Sequence, residues 1–549
     1  MEVPVSQFIV RYLERLGTGY IFGIPGAHIL PVYDALYHSK IRPVLTKHEQ
    51  GASFMAGGYA RQSGKVGVCI ATAGPGATNL VTGLANAYMD RLPVLAITGE
   101  TPTYSFGKGA LQESSGEGNC INQVDIFRGI TRHNTIVQRT DYILNQLRAV
   151  TGILLSKNPG PVVLSFPFNV LKETVEEDLL DGITFTPRYH GPGEDPVCAD
   201  EIIALLKDSD HPVIIAGYGS VLSGAEDSIA RFSSKTNIPV ATSLKARGVL
   251  PESSGGSLGV LGTTSNETAF RYISERADLV IILGAGFGER TSYNWNNELL
   301  KGKRIIQIDN DPSQLNKVFT ADIALNCDVK RAFDLLNERL GSDISPKHQD
   351  EVALYKSRYA NHDVRDNEFL LVSHFLKALN NHFGGEVSIY DDNIIYMQRF
   401  CAVSKSRSYF PNSGLSSLGH AVPAAIGARL ATEKPVVALL GDGGFQMCCM
   451  EIMTAVNYKI PITVILLNNS SLGLVRKNQM YNYGRRFIAS DFINPDYGKL
   501  AESFTINHFR VASLQDADDV FKTVDFKDGI NLIELILSKN EFPRYPSAR

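Results

Sequence analysis

Two polar positions in the last third of the chain each follow an apolar run, where their side chains could bind a metal. Residues 436–440 lead into a Gly-Asp-Gly-Gly segment that begins at Gly441, and residues 461–467 lead into an Asn-Asn pair at 468–469. Oxygen ligands of this kind suit Mg²⁺, which shares its coordination shell with phosphate oxygens. Glycines let backbone N–H groups approach an anion at a helix start. The pattern predicts a metal-bound diphosphate, with Asp442, Asn469 and Ser471 as metal ligands and Gly441, Gly443 and Gly444 beside the phosphates.

The bulk properties of the chain are those of a large globular protein. With 549 residues, 44% hydrophobic and 20% charged, it is long enough for three domains. Its net charge is −4 and it has no long basic run, which argues against nucleic acid as the main partner. No apolar run reaches membrane-spanning length and the N-terminus has no signal-peptide pattern, so we expect no membrane partner. Seven cysteines without zinc spacing favour a reducing, cytoplasmic location.

Helix and strand patterns alternate along most of the chain. This alternation predicts an α/β protein with three doubly wound parallel-sheet domains, at 1–170, 190–340 and 365–549. Two polar stretches, about 171–196 and about 341–365, are predicted to be linkers.

Several segments near both ends match one known family. The first domain contains Lys-His-Glu-Gln-Gly at 47–51, Gly-Pro-Gly-Ala-Thr-Asn at 74–79 and Phe-Gly-Ile-Pro-Gly at 22–26. Together with the Gly-Asp-Gly and Asn-Asn segments, these resemble the thiamine-diphosphate-dependent acetohydroxyacid (acetolactate) synthase family, in its catalytic large subunit. The resemblance covers nearly all of the chain. It implies a pyrimidine-binding first domain, a diphosphate-binding last domain, and thiamine diphosphate and Mg²⁺ as cofactors.

The resemblance also implies roles for individual residues. Glu49 would bond the pyrimidine ring of the cofactor and promote removal of the thiazolium proton, which requires a carboxylate in apolar surroundings. The alternative is a surface glutamate at a helix start. Gln112 would reach substrate oxygens, and Leu418 would bend the cofactor. The other implied cofactor contacts are Pro25, Gly26, Thr72, Gly76, Asn79, Asn393 and Ser416, besides the glycine, Asp442 and Asn469 positions above.

Four residues implied to line the substrate pocket are Ala27, His28, Leu111 and Asn478. Three of them depart from the family pattern, which has glycine at Ala27 in anabolic members, phenylalanine at Leu111 and tryptophan at Asn478. Residues 114–123 also form a longer segment than the pattern has. Asn478 in place of the bulky ring predicts a roomier and more polar acceptor pocket, whereas the Ala27 methyl narrows the acceptor side slightly.

The expected reaction is decarboxylation of pyruvate with transfer of the two-carbon unit to a second pyruvate, giving 2-acetolactate. The alternatives are the same donor with a ketosugar or aldehyde acceptor, a plain 2-ketoacid decarboxylase or pyruvate oxidase, and a non-catalytic homologue. Intact Glu49, Asp442 and Asn469 argue against the last. A nicotinamide oxidoreductase is disfavoured, because no Gly-x-Gly-x-x-Gly segment is followed by a matched acidic residue.

The central domain carries glycine turns after its strand candidates. Gly217, Gly219, Gly284, Gly286, Arg290 and Asp309 resemble the FAD-binding segments of the family. Such turns occur in any doubly wound sheet, so an empty domain or another nucleotide are the alternatives. The resemblance further implies a homodimer or homotetramer, in which Glu49 of one chain serves the diphosphate held by Asp442 and Asn469 of another.

Overall fold

The apolar runs of the chain form three six-stranded parallel sheets, each in its own α/β unit. The computed structural model describes residues 1–186, 196–340, 349–359 and 369–542. The prediction of three parallel-sheet α/β domains is confirmed. No helix in the described ranges is long and apolar enough to cross a membrane.

The first unit is built around strands that are buried along their whole length. Its sheet has the order β3-β2-β4-β5-β7-β6, and β1 pairs with β8 in a separate antiparallel ribbon. Every residue of β4 and β5 is buried, as expected for parallel strands covered by helices on both faces. The elements are β1 (Glu2–Pro4), α1 (Val5–Arg15), β2 (Tyr20–Gly23), α2 (Leu30–Leu36), β3 (Arg42–Leu45), α3 (Glu49–Ser63), β4 (Gly67–Ala71), α4 (Pro75–Thr78), α5 (Val81–Met89), β5 (Val94–Glu100), α6 (Gln123–Arg128), β6 (His133–Ile136), α7 (Ile143–Leu154), β7 (Val162–Pro167) and β8 (Thr174–Glu176).

The central unit repeats this arrangement with the strand order β11-β10-β9-β12-β13-β14. Alternate residues of β9 and β12 belong to two separate apolar clusters, one on each face of the sheet. The elements are α8 (Pro196–Lys207), β9 (Pro212–Ala216), α9 (Tyr218–Leu222), α10 (Glu226–Thr236), β10 (Val240–Thr242), β11 (Ser257–Val260), α11 (Thr268–Glu275), β12 (Leu279–Leu283), β13 (Arg304–Asp309), β14 (Ile323–Asn326), α12 (Val329–Arg339) and α13 (Gln349–Tyr359).

The last unit has the strand order β16-β15-β17-β18-β20-β19. Strands β17 and β18 are parallel neighbours, with Gly441 opposite Leu467, so both deliver their following residues to the same edge. The elements are α14 (Leu370–Phe383), β15 (Ser388–Asp391), β16 (Tyr409–Pro411), α15 (Ala421–Arg429), β17 (Val436–Gly441), α16 (Asp442–Cys448), α17 (Ile452–Tyr458), β18 (Thr463–Asn468), α18 (Gly473–Asn482), α19 (Tyr497–Ser503), β19 (Asn507–Val511), α20 (Leu514–Thr523) and β20 (Asn531–Ile536).

Both predicted linkers contain regular structure. Within the first, β8 pairs with β1, because Val175 can bury its side chain while Thr174 and Glu176 beside it are exposed. The second contains α13, whose Val352 joins the apolar cluster on one face of the central sheet. The remaining parts of these linkers that fall at 187–195, 341–348 and 360–368 lie outside the described residues.

The first and last units pack closely through α3 and α15. A Cβ added to Gly58 would lie 2.1 Å from the carbonyl oxygen of Ala424, and one added to Gly427 would lie 2.0 Å from that of Met55. Only glycine allows the two backbones to come this near. The apolar cluster between these helices contains residues from both units, so the two units share a core.

Candidate active site

The Asp442 carboxylate lies at the start of α16 and is only 1% exposed. One oxygen accepts the N–H groups of Asn469 at 3.1 Å and Ser470 at 2.6 Å, and the other accepts that of Gly443 at 2.9 Å. Burial raises the pKa of this carboxyl, although these N–H donors act in the opposite direction. The packing of β17 beside β18 therefore brings Asp442 to Asn469, two residues far apart in the chain.

Asn494 completes this arrangement, although no motif in the sequence marks it as a site residue. Its side-chain amide donates to Asp442 at 2.8 Å and to Asn468 at 2.7 Å. The oxygen of the same Asn494 side chain accepts from the Tyr497 hydroxyl at 2.9 Å and from the Gln446 side-chain amide at 2.7 Å. The residue follows no strand and belongs to no recognisable motif, so no local signal pointed to it.

The side chains near Asp442 fit a magnesium ion in their chemistry. The amide oxygen of Asn469 accepts the Ser471 N–H at 3.1 Å, and the Ser471 hydroxyl is buried with no hydrogen-bond partner among the described residues. Carboxylate, amide and hydroxyl oxygens are hard ligands of the kind Mg²⁺ prefers. The described residues hold no cluster of three or more His, Cys, Asp and Glu side chains, which is compatible with a site that uses one carboxylate.

The glycines that follow Asp442 lie close to neighbouring side chains. A Cβ on Gly443 would lie 2.6 Å from the Leu472 side chain, and one on Gly444 would lie 2.5 Å from the carboxylate of Asp392. The turn after β17 thus keeps its backbone close to the neighbouring segments. Gly441, Gly443 and Gly444 lie together with the predicted metal ligands at this edge of the sheet.

Glu49 is the first residue of α3 and is 8% exposed. Its carboxylate accepts from the Asn79 side chain at 2.9 Å. A Cβ on Gly76 would lie 3.5 Å from the other carboxylate oxygen and 2.8 Å from the Thr72 methyl, and one on Gly26 would lie 2.6 Å from Thr72. The structure therefore brings together five of the predicted cofactor contacts from the first unit, and Pro25 directly precedes Gly26.

The Thr72 hydroxyl lies in this cluster and is buried without a hydrogen-bond partner among the described residues. Buried hydroxyls normally have partners, so an unpaired one beside two constrained glycines fits a site built around a polar ligand. Thr72 and the cluster around Glu49 are thus compatible with the polar pyrimidine of the cofactor.

Gln112 and His28 lie together at one edge of this cluster. The His28 ring nitrogen Nδ1 lies 3.2 Å from the Gln112 amide oxygen. Gln112 has a φ of +62°, and a Cβ on Gly74 would lie 3.0 Å from the Gln112 Cβ. Leu111 is 77% exposed and Ala27 directly precedes His28, so the predicted substrate-pocket residues of the first unit lie on one open surface.

The loop that carries Gln112 is held by two buried carboxylates. Glu113 accepts the N–H groups of Gly107 at 2.6 Å, Ala110 at 3.0 Å and Gly109 at 3.1 Å. Burial acts to raise the pKa of Glu113, but hydrogen bonds from the Gly107 N–H, the Ser115 hydroxyl and the Ala110 N–H outweigh it and lower the pKa to about 2. Glu100 accepts from the Ser114 hydroxyl at 2.6 Å and from Gln123 at 3.0 Å. Glu100 therefore holds both ends of the extra segment, at Ser114 and at Gln123.

The segment before α15 carries Ser416 and Leu418. Leu418 is 40% exposed, and Ser416 has a φ of +63°. The Asp392 carboxylate accepts the N–H groups of Gly419 and His420, both at 2.8 Å, and of Ala421 at 3.1 Å. Asp392 therefore fixes the end of this segment, a role that the sequence did not indicate.

A carboxylate of the last unit fixes the segment just before Glu49. Glu451 is 3% exposed and accepts the N–H groups of Lys47 at 3.1 Å and His48 at 3.0 Å, and also the Thr454 hydroxyl at 2.8 Å. At the end of α17, the Tyr458 hydroxyl accepts the Leu45 N–H at 2.8 Å. The segment from Glu451 to the end of α17 thus positions the connection between β3 and α3.

The chain matches three family models that together span most of its length. These are the N-terminal TPP-binding domain, the central domain and the C-terminal TPP-binding domain of thiamine pyrophosphate enzymes, at residues 3–119, 199–336 and 393–535. A probable acetolactate synthase large subunit of Methanocaldococcus jannaschii is 32% identical over 558 residues, covering 98% of this chain and 92% of the relative. The acetolactate synthase large subunit of Lactococcus lactis subsp. lactis is 34% identical over 560 residues, covering 98% of this chain and 94% of the relative.

The chain belongs to the acetolactate synthase large-subunit family of thiamine pyrophosphate enzymes. The acetolactate synthase of Mycobacterium bovis is also 34% identical, over 542 residues that cover 94% of this chain and 85% of the relative. The predicted family resemblance is therefore confirmed. The matched N- and C-terminal models are both TPP-binding domains, so thiamine diphosphate is the cofactor of this fold.

Two predicted residues of this acetolactate synthase homologue lie in distinctive surroundings. The Asn393 amide oxygen accepts from Arg290 of the central unit at 2.6 Å and from Gln398 at 3.2 Å, so in this structure it faces Arg290. Asn478 lies half-buried on α18, and the neighbouring Arg476 is fixed by Asp491 at 2.6 Å. The contact of Asn393 with phosphate and the contact of Asn478 with substrate stay predictions.

A cavity of about 520 Å³ lies at the edge of the central unit of this family member. Five of the six predicted FAD residues line it, namely Gly219, Gly284, Gly286, Arg290 and Asp309. Gly217 lies just behind, since a Cβ there would be 2.2 Å from the Gly284 carbonyl oxygen. Ser416 also lines this cavity, so the cavity extends to the segment that carries Leu418. Burial raises the pKa of the Asp309 carboxyl.

Proposed function

We propose that this chain decarboxylates pyruvate and transfers the two-carbon unit to a second pyruvate, producing 2-acetolactate. The observation that carries the proposal is the full-length similarity to acetolactate synthase large subunits, which runs through both TPP-binding domains. The positions that the chemistry needs are intact: Glu49 lies buried at the start of α3 and Asp442 lies buried beside Asn469.

Thiamine diphosphate, when bound, supplies the nucleophilic carbon that adds to the ketoacid and accepts the electrons released with CO₂. Within the chain, Glu49 would exchange a proton with the pyrimidine, and Asn79 orients its carboxylate through a 2.9 Å hydrogen bond. Gln112 and His28, 3.2 Å apart, present polar groups to the substrate on the open side of the same cluster. The closed loop at 107–123 fixes Gln112 in its left-handed backbone conformation.

Mg²⁺ is the metal that this proposal assigns to Asp442, Asn469 and Ser471. The buried Asp442 carboxylate, the Asn469 amide oxygen and the unpaired Ser471 hydroxyl support the assignment. Their oxygens would link the metal to the diphosphate of the cofactor. Asn494 would keep the Asp442 carboxylate in place through its 2.8 Å hydrogen bond.

The active unit that we propose is at least a homodimer, with each site shared between two chains. Support comes from large apolar side chains that are exposed on the segments carrying the predicted cofactor residues. Leu111 is 77% exposed, Met447 is 63% exposed and Leu418 is 40% exposed. A second chain that covered these segments would bury them. The proposal extends to a homotetramer as a pair of such dimers.

FAD is the ligand that we propose for the cavity of the central unit. The volume of about 520 Å³ and the glycines that line it support a nucleotide ligand. A yellow absorbance spectrum of the purified protein would test this assignment directly.

We also propose a cytoplasmic location, which is supported by free thiols at Cys69, Cys120, Cys327, Cys401, Cys448 and Cys449.

Mass spectrometry of the products formed from ¹³C-labelled pyruvate tests the reaction. With pyruvate alone, we expect CO₂ and 2-acetolactate in which both parts carry label. Reactions with added unlabelled aldehydes and ketosugars serve as comparison, because Asn478 stands where the family pattern has tryptophan, which predicts room for other acceptors. CO₂ release that yields only acetaldehyde or acetate, or labelled acetyl groups on the added acceptor in preference to pyruvate, would overturn the proposal.

A further inference from the structure

A second cavity, of about 320 Å³, lies where the three units meet. We call it the junction cavity. It is lined by residues from 60–66, 91–93 and 154–159 of the first unit, from 218–222 and 245 of the central unit, and from 407–411 of the last unit. A cavity of this volume can hold a small ligand.

The charged side chains of the junction cavity all have the same sign. Arg61, Arg91, Lys157, Lys245 and Arg407 line it, and its described lining includes no carboxylate. Side chains of one sign inside a concave, poorly hydrated site raise the local concentration of ions of the opposite sign. The lining therefore favours an anion.

The carboxylates behind the walls neutralise only part of this charge. Asp90 is fully buried and is shared by Arg61 and Lys245. Arg91 pairs with Asp311 at 2.7 Å, and Lys157 pairs with Asp328 at 3.0 Å. These three carboxylates pair with four of the five lining cations, so the ion pairs leave an excess of positive charge.

Arg407 differs from the other four lining cations in the partners of its side chain. Its guanidinium donates to the Val221 carbonyl at 2.9 Å, and it forms an ion pair with none of the described carboxylates. Because Asp90 serves both Arg61 and Lys245, that pair of cations also carries more positive charge than its one carboxylate balances. Arg407 itself is exposed, whereas Arg61 is buried and Lys245 is half-buried, so a bound anion would mainly offset the excess charge at that pair.

The backbone conformation of two lining arginines is an observation that does not depend on the charge of the cavity. Arg91 has a φ of +52° and Arg407 has a φ of +57°, so both arginines adopt the left-handed conformation that side chains other than glycine rarely adopt. Strain of this kind is retained mainly where a ligand or a function uses the resulting side-chain direction. Here it occurs at two cationic residues from different units that line the same cavity.

We propose that the junction cavity binds a small multivalent anion, a phosphate or a dicarboxylate, between Arg407 and the Arg61–Lys245 pair. Planar guanidinium groups suit both phosphate and carboxylate oxygens, since they can donate two parallel hydrogen bonds. The walls come from all three units, so the bound anion connects them and stabilises their relative arrangement. The site is separate from the Asp442–Asn469 region but adjoins the cavity of the central unit, with which it shares Arg91, Tyr218, Leu222 and Lys245.

Isothermal titration calorimetry of the holoenzyme tests the proposal. The enzyme is saturated with thiamine diphosphate and Mg²⁺, which occupies the diphosphate site, and is titrated with inorganic phosphate or succinate at constant ionic strength in chloride. We expect saturable binding of at least one of the two anions, and the tighter one identifies the chemistry. Arg407→Gln should weaken that binding about tenfold or more, and Arg407→Lys should weaken it less.

Arg128→Gln is the matched control, because Arg128 is an exposed arginine paired with Asp125 outside the cavity. This variant should bind the anion as the wild type does. A thermal unfolding scan provides a second measure: the anion should raise the Tm of the wild type and of Arg128→Gln, but not that of Arg407→Gln.

Three outcomes would overturn the assignment. Neither anion gives saturable heat with the wild type, or Arg407→Gln binds with wild-type affinity, or binding disappears when the protein is first loaded with FAD. The last outcome would make the junction cavity part of the flavin site rather than a separate one.

Discussion

Glu49 and Asp442 are both buried carboxylates at the first position of a helix, but their hydrogen-bond partners differ. Asp442 accepts three backbone N–H groups and the Asn494 amide, so its oxygens are held in fixed directions. Glu49 accepts from the Asn79 side chain, and its other oxygen faces the space beside Gly76. The first arrangement suits a metal ligand, and the second suits a group that exchanges a proton with a bound molecule.

The first prediction concerns the proton role of Glu49. Glu49→Gln keeps the shape of the side chain but removes the ionisable carboxyl, so kcat for CO₂ release from pyruvate should fall by about 10²–10⁴-fold. Thiamine diphosphate should still bind with an affinity near that of the wild type, because Asp442 and Asn469 are unchanged. A coupled CO₂ assay and calorimetry with the cofactor measure the two quantities.

Glu117→Gln is the control for that experiment, since Glu117 is exposed in the neighbouring loop. It should leave both quantities unchanged. Wild-type CO₂ release by Glu49→Gln would show that Glu49 moves no proton in the reaction.

At the scale of elements, the position of Glu49 depends on a helix from another unit. Glu451 and Tyr458 bond the backbone of the segment that ends β3 and begins α3. The same stretch of chain begins at Asp442 and continues through α16. One short segment therefore connects the predicted metal ligand of the chain with the support of its Glu49.

The second prediction is that Glu451 positions Glu49. Glu451→Gln replaces one accepting oxygen by an NH₂ group, so the Thr454 hydroxyl loses its acceptor and the Lys47 N–H keeps only its bond to the other oxygen. A small displacement of Glu49 should lower kcat about 10–100-fold, with KM for pyruvate and cofactor affinity within about threefold of wild type. Steady-state kinetics and calorimetry separate these effects.

Glu502→Gln, an exposed change on α19, should behave as wild type in that assay. If cofactor affinity fell in parallel with kcat, Glu451 would support the diphosphate loop rather than Glu49. That result would contradict the positioning role.

The third prediction uses two adjacent glycines of α3. A Cβ on Gly58 would lie 2.1 Å from a backbone oxygen of α15, whereas a Cβ on Gly57 would lie 3.5 Å from the tip of the flexible Leu92 side chain. Gly58→Ala should therefore destabilise the protein by about 2 kcal/mol or more, since backbone atoms must move. Gly57→Ala should be neutral or stabilising by up to about 1 kcal/mol, since alanine favours the helix.

Urea unfolding followed by circular dichroism measures both variants, and Gly57→Ala is the matched control. Equal stability of the two variants would mean that α3 and α15 do not approach as closely as the structure places them.

At the scale of the whole molecule, the hydrogen bonds of the two key carboxylates stay within separate units. Glu49 bonds to Asn79 of the first unit, and Asp442 bonds to residues 443, 469, 470 and 494 of the last unit. The shared core between α3 and α15 fixes these units relative to each other within one chain. A site shared between two chains would bring Glu49 of one to Asp442 of the other.

The fourth prediction tests this shared site by mixing two inactive variants. Glu49→Gln and Asp442→Ala should each be inactive alone. Dimers that contain one chain of each type have one intact site, so random mixing should restore about a quarter of the wild-type activity. The measurement is the rate of CO₂ release after the variants are co-expressed or are dissociated and reassembled together.

Mixing either variant with itself is the control and should restore nothing. If the mixed preparation also stayed inactive, while light scattering showed that mixed dimers had formed, each site would belong to a single chain.

Several features of the fold and site were predictable because their signals are local. Buried strands such as β4 and β17 appear as short apolar runs, and the residues that follow them are visible directly in the sequence. Asp442 and Asn469 could be paired in advance because neighbouring parallel strands end at the same edge. The boundaries of the three domains and the roles of the site residues stay predictions.

Other contacts gave no local signal. Asn494 reaches Asp442 from a loop, and Glu451 reaches the backbone before Glu49 from a different unit. The five cations of the junction cavity are spread over all three units and follow no common motif. Only the packing of distant segments shows that these residues are neighbours.

The sequence by itself determined the three parallel α/β units, the family and the identity of the principal carboxylates, because apolar periodicity and short motifs are properties of consecutive residues. The tertiary structure decided which polar groups hold those carboxylates, how closely α3 and α15 approach, and where positive charge accumulates between units. The physical reason is that hydrogen bonds and electrostatic fields depend on distance in space, and chain order does not specify that distance for residues hundreds of positions apart.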